Sequence, residues 1–136
     1  MTDFKRTLPE ITPETRHFWE GTRVGELLLQ RCRPCANIYF PPRPFCPKCG
    51  SRSIDLLKAS GRATLHSYVI NHLVGVGESP YSVAVVELDE GPRMMTNIVG
   101  SAQTPEALRI DMALEVVFTP VGEDIVLPLF KPLGAS

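Results

Sequence analysis

No apolar run in this chain approaches the ~20 residues that a membrane-spanning helix requires. Stretches such as Leu27-Leu28-Leu29 and Val83-Ala84-Val85-Val86 stop after three or four residues. The opening MTDFKRTLPEITPE lacks the apolar core of a secretory signal. The expected compartment is therefore the cytoplasm, with no membrane association and with thiols kept reduced. Histidine is scarce: His17, His66 and His72 are the three in 136 residues. No serine or cysteine nucleophile stands with them in a catalytic pattern, so surface or hydrogen-bonded roles are expected. Gly75-Val76-Gly77 lacks the third glycine and the following helix of a dinucleotide fingerprint. It reads instead as part of a mobile hairpin loop over 73–80. Internal repeats and low-complexity segments are missing too. Composition is ordinary for a globular protein, at 43% hydrophobic and 21% charged, which argues against disorder.

Charge is nearly balanced overall but unevenly spread. The net formal charge is −1. Residues 1–60 hold ten Lys/Arg against six Asp/Glu, a balance of +4, and residues 61–136 hold four against nine, a balance of −5. Between Arg31 and Lys58 six cations face only Asp55. These cations either offset a negative centre among them or form a phosphate-facing patch. The cluster Glu87-Leu88-Asp89-Glu90 reads as a solvated hairpin end.

Three zones follow along the chain: 1–26, 27–59 and 60–136. In the first, Thr12-Pro13-Glu14-Thr15 marks a helix start, with Thr12 as N-cap, Pro13 at the first helical position and Thr15 one residue short of a capping-box Glu or Gln. Phe18, Trp19 and Val24 share part of a face on a helix ending near Gly21 or Gly25. So short a helix must pack on something, its own domain or a partner. In the second zone Leu27–Arg31 and Ile54–Lys58 read as strands flanking two loops, and Pro34, Pro41, Pro42, Pro44 and Pro47 exclude a regular helix between them. In the third, strands are expected at Arg62–Asn71, Tyr81–Leu88, Arg93–Gly100, Ala113–Thr119 and Ile125–Phe130, with a helical turn at best over Thr104–Leu108. Five strands with turn residues at each break suggest a small closed or partly open β-barrel.

All four cysteines fall in CRPCANIYFPPRPFCPKCGS, as Cys32-x-x-Cys35 and Cys46-x-x-Cys49 separated by ten residues. A C-x-x-C turn brings two sulfurs together and points backbone N–H groups at them. Two such knuckles face to face give four thiolates in a tetrahedron, which suits Zn²⁺, with iron as the main competitor. Gly50 after the second knuckle accepts a positive φ. The first is followed by Ala36-Asn37, where Asn37 better tolerates left-handed backbone. Four protein ligands leave no position open for water or substrate, so the metal is expected to be structural, one per chain. A ribbon beside a barrel also raises nucleic-acid binding. The −5 balance of residues 61–136, where Arg62, Arg93, Arg109 and Lys131 are the cations, opposes a polyanion on that surface.

The string CRPC…YFPPRPFCPKCGS, followed by SGRATLHSY, PYSVAVVELDEGPR and LEVVF, resembles a family of acyl-CoA-associated proteins. That family has a rubredoxin-like zinc ribbon and an OB-fold and was long labelled a domain of unknown function. The resemblance runs from about Trp19 to Pro132. It implies a mostly β fold: an N-terminal helical segment, a ribbon, then a five-stranded OB-fold barrel. It makes Cys32, Cys35, Cys46 and Cys49 the zinc ligands. Ala36 stands where the first knuckle usually has glycine, and Ala63 where the strand usually begins Gly-Thr. The family implies a non-catalytic small subunit of a thiolase-like enzyme, whether thiolase, acyltransferase or side-chain-cleaving aldolase, acting on a coenzyme A thioester. Arg33, Arg43, Lys48 and Arg52 are then candidates for its phosphates. Phe18, Trp19, Tyr39 and Phe40 are candidates for the partner subunit. A free-standing acyl-CoA-binding module and an OB-fold nucleic-acid-binding protein are the alternatives.

Overall fold

The computed structural model describes residues 8–72 and 80–134. The Gly75-Val76-Gly77 reading lies outside the described residues.

Helix α1 is Arg16–Arg23, three residues later than the expected start at Pro13. The N-cap is Thr15, not Thr12, and Pro13 lies in a turn that precedes the helix. The Thr12 N–H donates to Thr15 Oγ1 at 3.0 Å and the Thr15 N–H lies 3.3 Å from Thr12 Oγ1. This is the reciprocal pattern of a capping box with threonine in place of Glu. It closes a turn, Thr15 N–H to Thr12 O at 3.1 Å, and the helix proper begins after it. At the other end Gly25 takes φ +79°. The Glu26 N–H donates to Gly21 O and the Gly25 N–H to Thr22 O, at 2.8 and 3.1 Å, which is a Schellman motif.

A three-stranded antiparallel sheet follows, in the order β2 (Ile38–Tyr39), β1 (Leu28–Cys32), β3 (Ile54–Lys58). The two-residue β2 has no counterpart among the expected strands. Then comes a five-stranded sheet made of β4 (Arg62–Asn71), β5 (Tyr81–Leu88), β6 (Arg93–Thr96), β7 (Ala113–Pro120) and β8 (Val126–Pro132). Its order is β6-β5-β4-β7-β8. A parallel bridge from Ile98 to Phe130 joins its two edges and curls the sheet toward a barrel.

The expected third strand ran to Gly100, but β6 stops at Thr96. There the chain leaves β5. The Ile98 N–H donates to the buried Ser82 hydroxyl at 3.1 Å, and the Val99 N–H to Phe130 O at 2.8 Å. Strand β5 alternates strictly, with Ser82, Ala84, Val86 and Leu88 inside. Strand β4 does not. A bulge between Leu65 and Ser67 shifts its register. Ala63 and Leu65 are buried before it, whereas Tyr68 and Ile70 pack on the core after it. One extra residue flips which parity faces inward. Val69 is left outside, with Val83, Val85 and Met95 on the same outer face of β4, β5 and β6.

The core is continuous from helix to barrel. Phe18, Trp19, Leu27 and Leu29 belong to the same cluster as Leu65, Val86, Leu88, Leu114 and Phe130. Phe18 stacks edge-on against Trp19 at 4.9 Å and tilts against Phe40 at 5.2 Å. Gly21 is where α1 meets β1: a Cβ there would stand 2.9 Å from Leu28 Cδ1. Burial of the apolar face therefore happens within the chain, which settles what the short helix packs on.

Phe130 is fully buried and lies on the seam that joins the sheet edges. Phe130→Ala should lower unfolding free energy by about 3–5 kcal/mol. Urea denaturation is the check, and a loss below about 1 kcal/mol would show that the seam is not part of the cooperative core.

Candidate metal centre and the recesses beside it

The two knuckles have the same backbone. The Ala36 N–H donates to Cys32 O and the Gly50 N–H to Cys46 O, both at 2.8 Å. Each hairpin is closed one step further out, Cys32 N–H to Asn37 O at 2.9 Å and Cys46 N–H to Ser51 O at 2.8 Å. The matching left-handed residues are Ala36, φ 62°, and Gly50, φ 81°. The expectation that Asn37 takes this conformation is thus corrected: position 36 takes it, because that residue is the structural counterpart of Gly50. The Asn37 side chain instead points its amide at Cys46 Sγ, 3.7 Å away.

The four sulfurs of Cys32, Cys35, Cys46 and Cys49 lie within 4.8 Å of one another. Cys32 and Cys49 are 3.4 Å apart and Cys35 and Cys46 3.7 Å apart, and all are free thiols. A tetrahedral zinc site with Zn–S bonds of about 2.3 Å has sulfur–sulfur edges of about 3.8 Å. The residues present therefore fit the ion. Electrostatics prepare the site unevenly. Burial pushes the Cys32 thiol up. At Cys46 burial pushes the same way, but N–H donors from Cys49 and Lys48, with the Asn37 amide, outweigh it and pull the thiol down. The Lys48 N–H is 3.4 Å from Cys46 Sγ. Lys48 thus serves the centre through its backbone.

Tyr39 was a candidate for the partner surface. It is instead 6% exposed and packs with Cys32 and Cys46. Burial, and then the sulfurs, hold its phenol protonated. Phe18 and Trp19, expected to be left wet, are 3% and 9% exposed. Their face is covered by β1, the barrel and Phe40. Phe40 is half-buried and reaches the surface at a recess of about 260 Å³, where Phe18, Trp19, Pro41 and Pro42 meet Met95 and Leu127. The recess is apolar and lies between helix, ribbon and barrel. Met95 beside it is 68% exposed. Sequence reading missed Met95 because its outward direction depends on the pairing of β6 with β5.

The candidate phosphate-binding cations separate. Arg33 Nε donates to Asp55 Oδ1 at 2.7 Å on an exposed face. Arg43 and Arg52 instead line one recess of about 340 Å³ between α1 and the ribbon, together with Glu14, His17 and Gln30. His17 was not among the candidate ligand residues. The acidic cluster is a hairpin end, as expected: Glu87 accepts from Arg93 at 3.0 Å and Glu90 accepts from the Ser60 N–H at 2.8 Å. No helix among the described residues is long and apolar enough to cross a membrane.

The first knuckle is the strained one. Left-handed backbone costs an L-residue about 1–2 kcal/mol, against about 0.5–1 kcal/mol for glycine's extra freedom when unfolded. Ala36→Gly should therefore stabilise the metal-loaded chain by about 0.5–1 kcal/mol. Denaturant titration, with metal analysis showing one zinc per chain before and after, reads this directly; a destabilised variant would contradict it.

Comparison with known proteins agrees with this geometry. Residues 19–55 match the family model "ChsH2, rubredoxin-like zinc ribbon domain", and residues 58–119 match "ChsH2, C-terminal OB-fold domain". A "DUF35 domain-containing scaffold protein" of Methanothermobacter thermautotrophicus is 39% identical over 112 residues, covering 75% of this chain and 83% of its own. The "Probable enoyl-CoA hydratase alpha subunit" of Thermomonospora curvata is 36% identical over 93% of this chain, which spans only 40% of that longer relative. "Benzoylsuccinyl-CoA thiolase subunit BbsA" of Thauera aromatica is 27% identical over 85% of this chain and 81% of its own. Among solved structures, the "Ltp2-ChsH2(DUF35) aldolase" superposes with a TM-score of 0.81 at 34% identity, covering 92% of this chain and 98% of that one. With its four clustered cysteines, its zinc-ribbon domain and its OB-fold domain, the chain belongs to the ChsH2-type DUF35 family.

Proposed function

We propose that this chain is a non-catalytic auxiliary subunit of a thiolase-like enzyme that acts on acyl-CoA thioesters. The observation that carries this reading is the closed metal centre. Four cysteine sulfurs within 4.8 Å of one another fill a tetrahedral ion, so the metal holds the fold and presents no site to substrate. The nucleophilic cysteine or the base then belongs to a partner chain. The names of the relatives, a scaffold protein, a thiolase subunit and an aldolase, support a role in assembly.

The apolar recess at Phe40 and the outer strip at Met95, Val85 and Val69 are the surface we assign to the partner. Exposed apolar area of this kind marks interaction sites. Phe18 and Trp19 contribute by forming the recess floor, and Tyr39 by fixing the ribbon under Phe40. Direct contact with the coenzyme through Arg43 and Arg52 is compatible with this arrangement, since both flank the helix that floors the recess. A nucleic-acid role has less support: residues 61–136 sum to −5, and Arg93 is engaged by Glu87.

Met95→Asp and Phe40→Ala, tested in the full chain co-expressed with a thiolase-like partner, should each weaken assembly at least about tenfold, as the loss of a buried interface anchor does. Zinc content should stay at the parent value. Acyl-CoA turnover by the purified chain alone, or full partner activity in its absence, would contradict the proposal.

A further inference from the structure

The recess between α1 and the ribbon differs from the apolar one in every respect that matters for a ligand. Three separate segments build it: the turn with Glu14 that leads into α1 and the first turn of α1 with His17, strand β1 with Gln30, and the ribbon loops with Arg43 and Arg52. At about 340 Å³ it is many times the ~30 Å³ that one water occupies in the liquid. Both arginines grow from constrained backbone. The Arg43 N–H donates to Gln30 Oε1 at 2.7 Å, and Gln30 is itself buried. Pro42 and Pro44 flank Arg43 and fix the chain on either side. Arg52 follows the second knuckle, where the Arg33 N–H donates to Ser53 O at 3.0 Å and ties the loop back to the first.

Neither arginine has an ion-pair partner among the described residues, where the pairs formed are Arg33–Asp55, Lys58–Glu26 and Arg93–Glu87. Glu14 is the single acid on the lining. Beside them His17 Nε2 is buried with no hydrogen-bond partner. A buried polar atom without a partner in a recess that holds two unpaired guanidinium groups calls for an acceptor from outside. Arginine forks match the oxygens of carboxylate and phosphate groups bidentately, and two unpaired guanidinium groups lining one recess favour the more highly charged phosphate.

We propose that this recess is a phosphate-binding site of the chain itself, with Arg43 and Arg52 as the clamp and His17 as a third donor. The site deepens the reading above, and the choice of coenzyme A as one probe rests on that reading. It replaces the broader set of four cations: Arg33 is held by Asp55, and Lys48 lines neither recess. His17 gives the site a pH dependence. Burial lowers its proton affinity, with Glu20 opposing. A bound anion favours the charged imidazole, so binding takes up a proton and weakens as pH rises through the histidine range. The charges around it are Glu14, Glu20, Arg43 and Arg52. The competing role for the arginines, offsetting a zinc tetrathiolate of net charge about −2, requires no ligand and makes the opposite prediction.

The test is calorimetric titration of the zinc-loaded full chain, at ~0.1 M salt, with inorganic phosphate, coenzyme A and 3′-dephospho-coenzyme A. The site predicts saturable binding that Arg43→Gln and Arg52→Gln each weaken at least about tenfold, the loss of one charge-assisted pair, while Arg33→Gln leaves it unchanged. His17→Gln should flatten the pH dependence relative to the parent, which a merely structural residue would not do. Tighter binding of coenzyme A than of its 3′-dephospho form assigns the 3′-phosphate. Equal binding assigns the pyrophosphate, and binding of inorganic phosphate alone assigns a free ion; each supports the site. No saturation by any probe up to about 10 mM, or binding that survives both arginine substitutions, overturns it. Partner assembly would be untouched by that failure, so the two proposals fail separately.

Discussion

Four sulfurs gathered within 4.8 Å, none in a disulfide, are the constraint on which the rest depends. Packed thiolates repel and packed thiols are poorly solvated, so the cluster is stable only around a cation. Between Cys32 and Ile54 the one element of regular structure is the two-residue β2, and the small cluster of Cys32, Tyr39 and Cys46 is all the core the ribbon has to itself. The metal therefore supplies the order that an apolar core supplies elsewhere. It fixes both knuckles, and through them the loop from Phe40 to Pro44. That loop closes the apolar recess with Phe40 and opens the charged one with Arg43.

This dependence explains why a closed metal centre belongs in a chain proposed to work as a partner subunit. A small ribbon with proline-rich loops presents rigid surface at little cost in conformational entropy, once the ion has been bound. The barrel adds a second surface, where the β4 bulge turns Val69 outward to join Val85 and Met95. Apolar and charged recesses lie on different sides of the same short helix. On the two proposals above, one chain would offer separate surfaces for a protein and for an anion, and no group among the described residues is arranged to do covalent chemistry.

Strands were legible where β-branched and apolar residues run between turn residues. β3, β4 and β5 have the expected bounds, although β5 is the one of the three that alternates throughout. The bulge was invisible because its effect is a change of phase, which the run RATLHSYVIN satisfies in either parity. β2 was invisible because two residues set no period. The cysteines were fully legible, spacing being the whole signal. The left-handed site at Ala36 was misplaced to Asn37 because intrinsic tolerance was weighed above the symmetry of the two knuckles. Phe18 and Trp19 were legible as one face, but not what covers them, since β1 and the barrel come from later in the chain. The same holds for Arg43, Arg52 and His17, which no local pattern unites.

Hydrogen exchange of the chain, alone and with its partner, before and after removal of zinc by a chelator, tests the central claim most directly. If the ion holds the ribbon in place, amides of residues 28–58 should lose protection when it is removed, and the complex should dissociate. The amides of β4, β5 and β8 should remain protected by their own core. A ribbon that keeps its protection after the metal has gone, or a complex that survives the loss of an unfolded ribbon, would contradict the account.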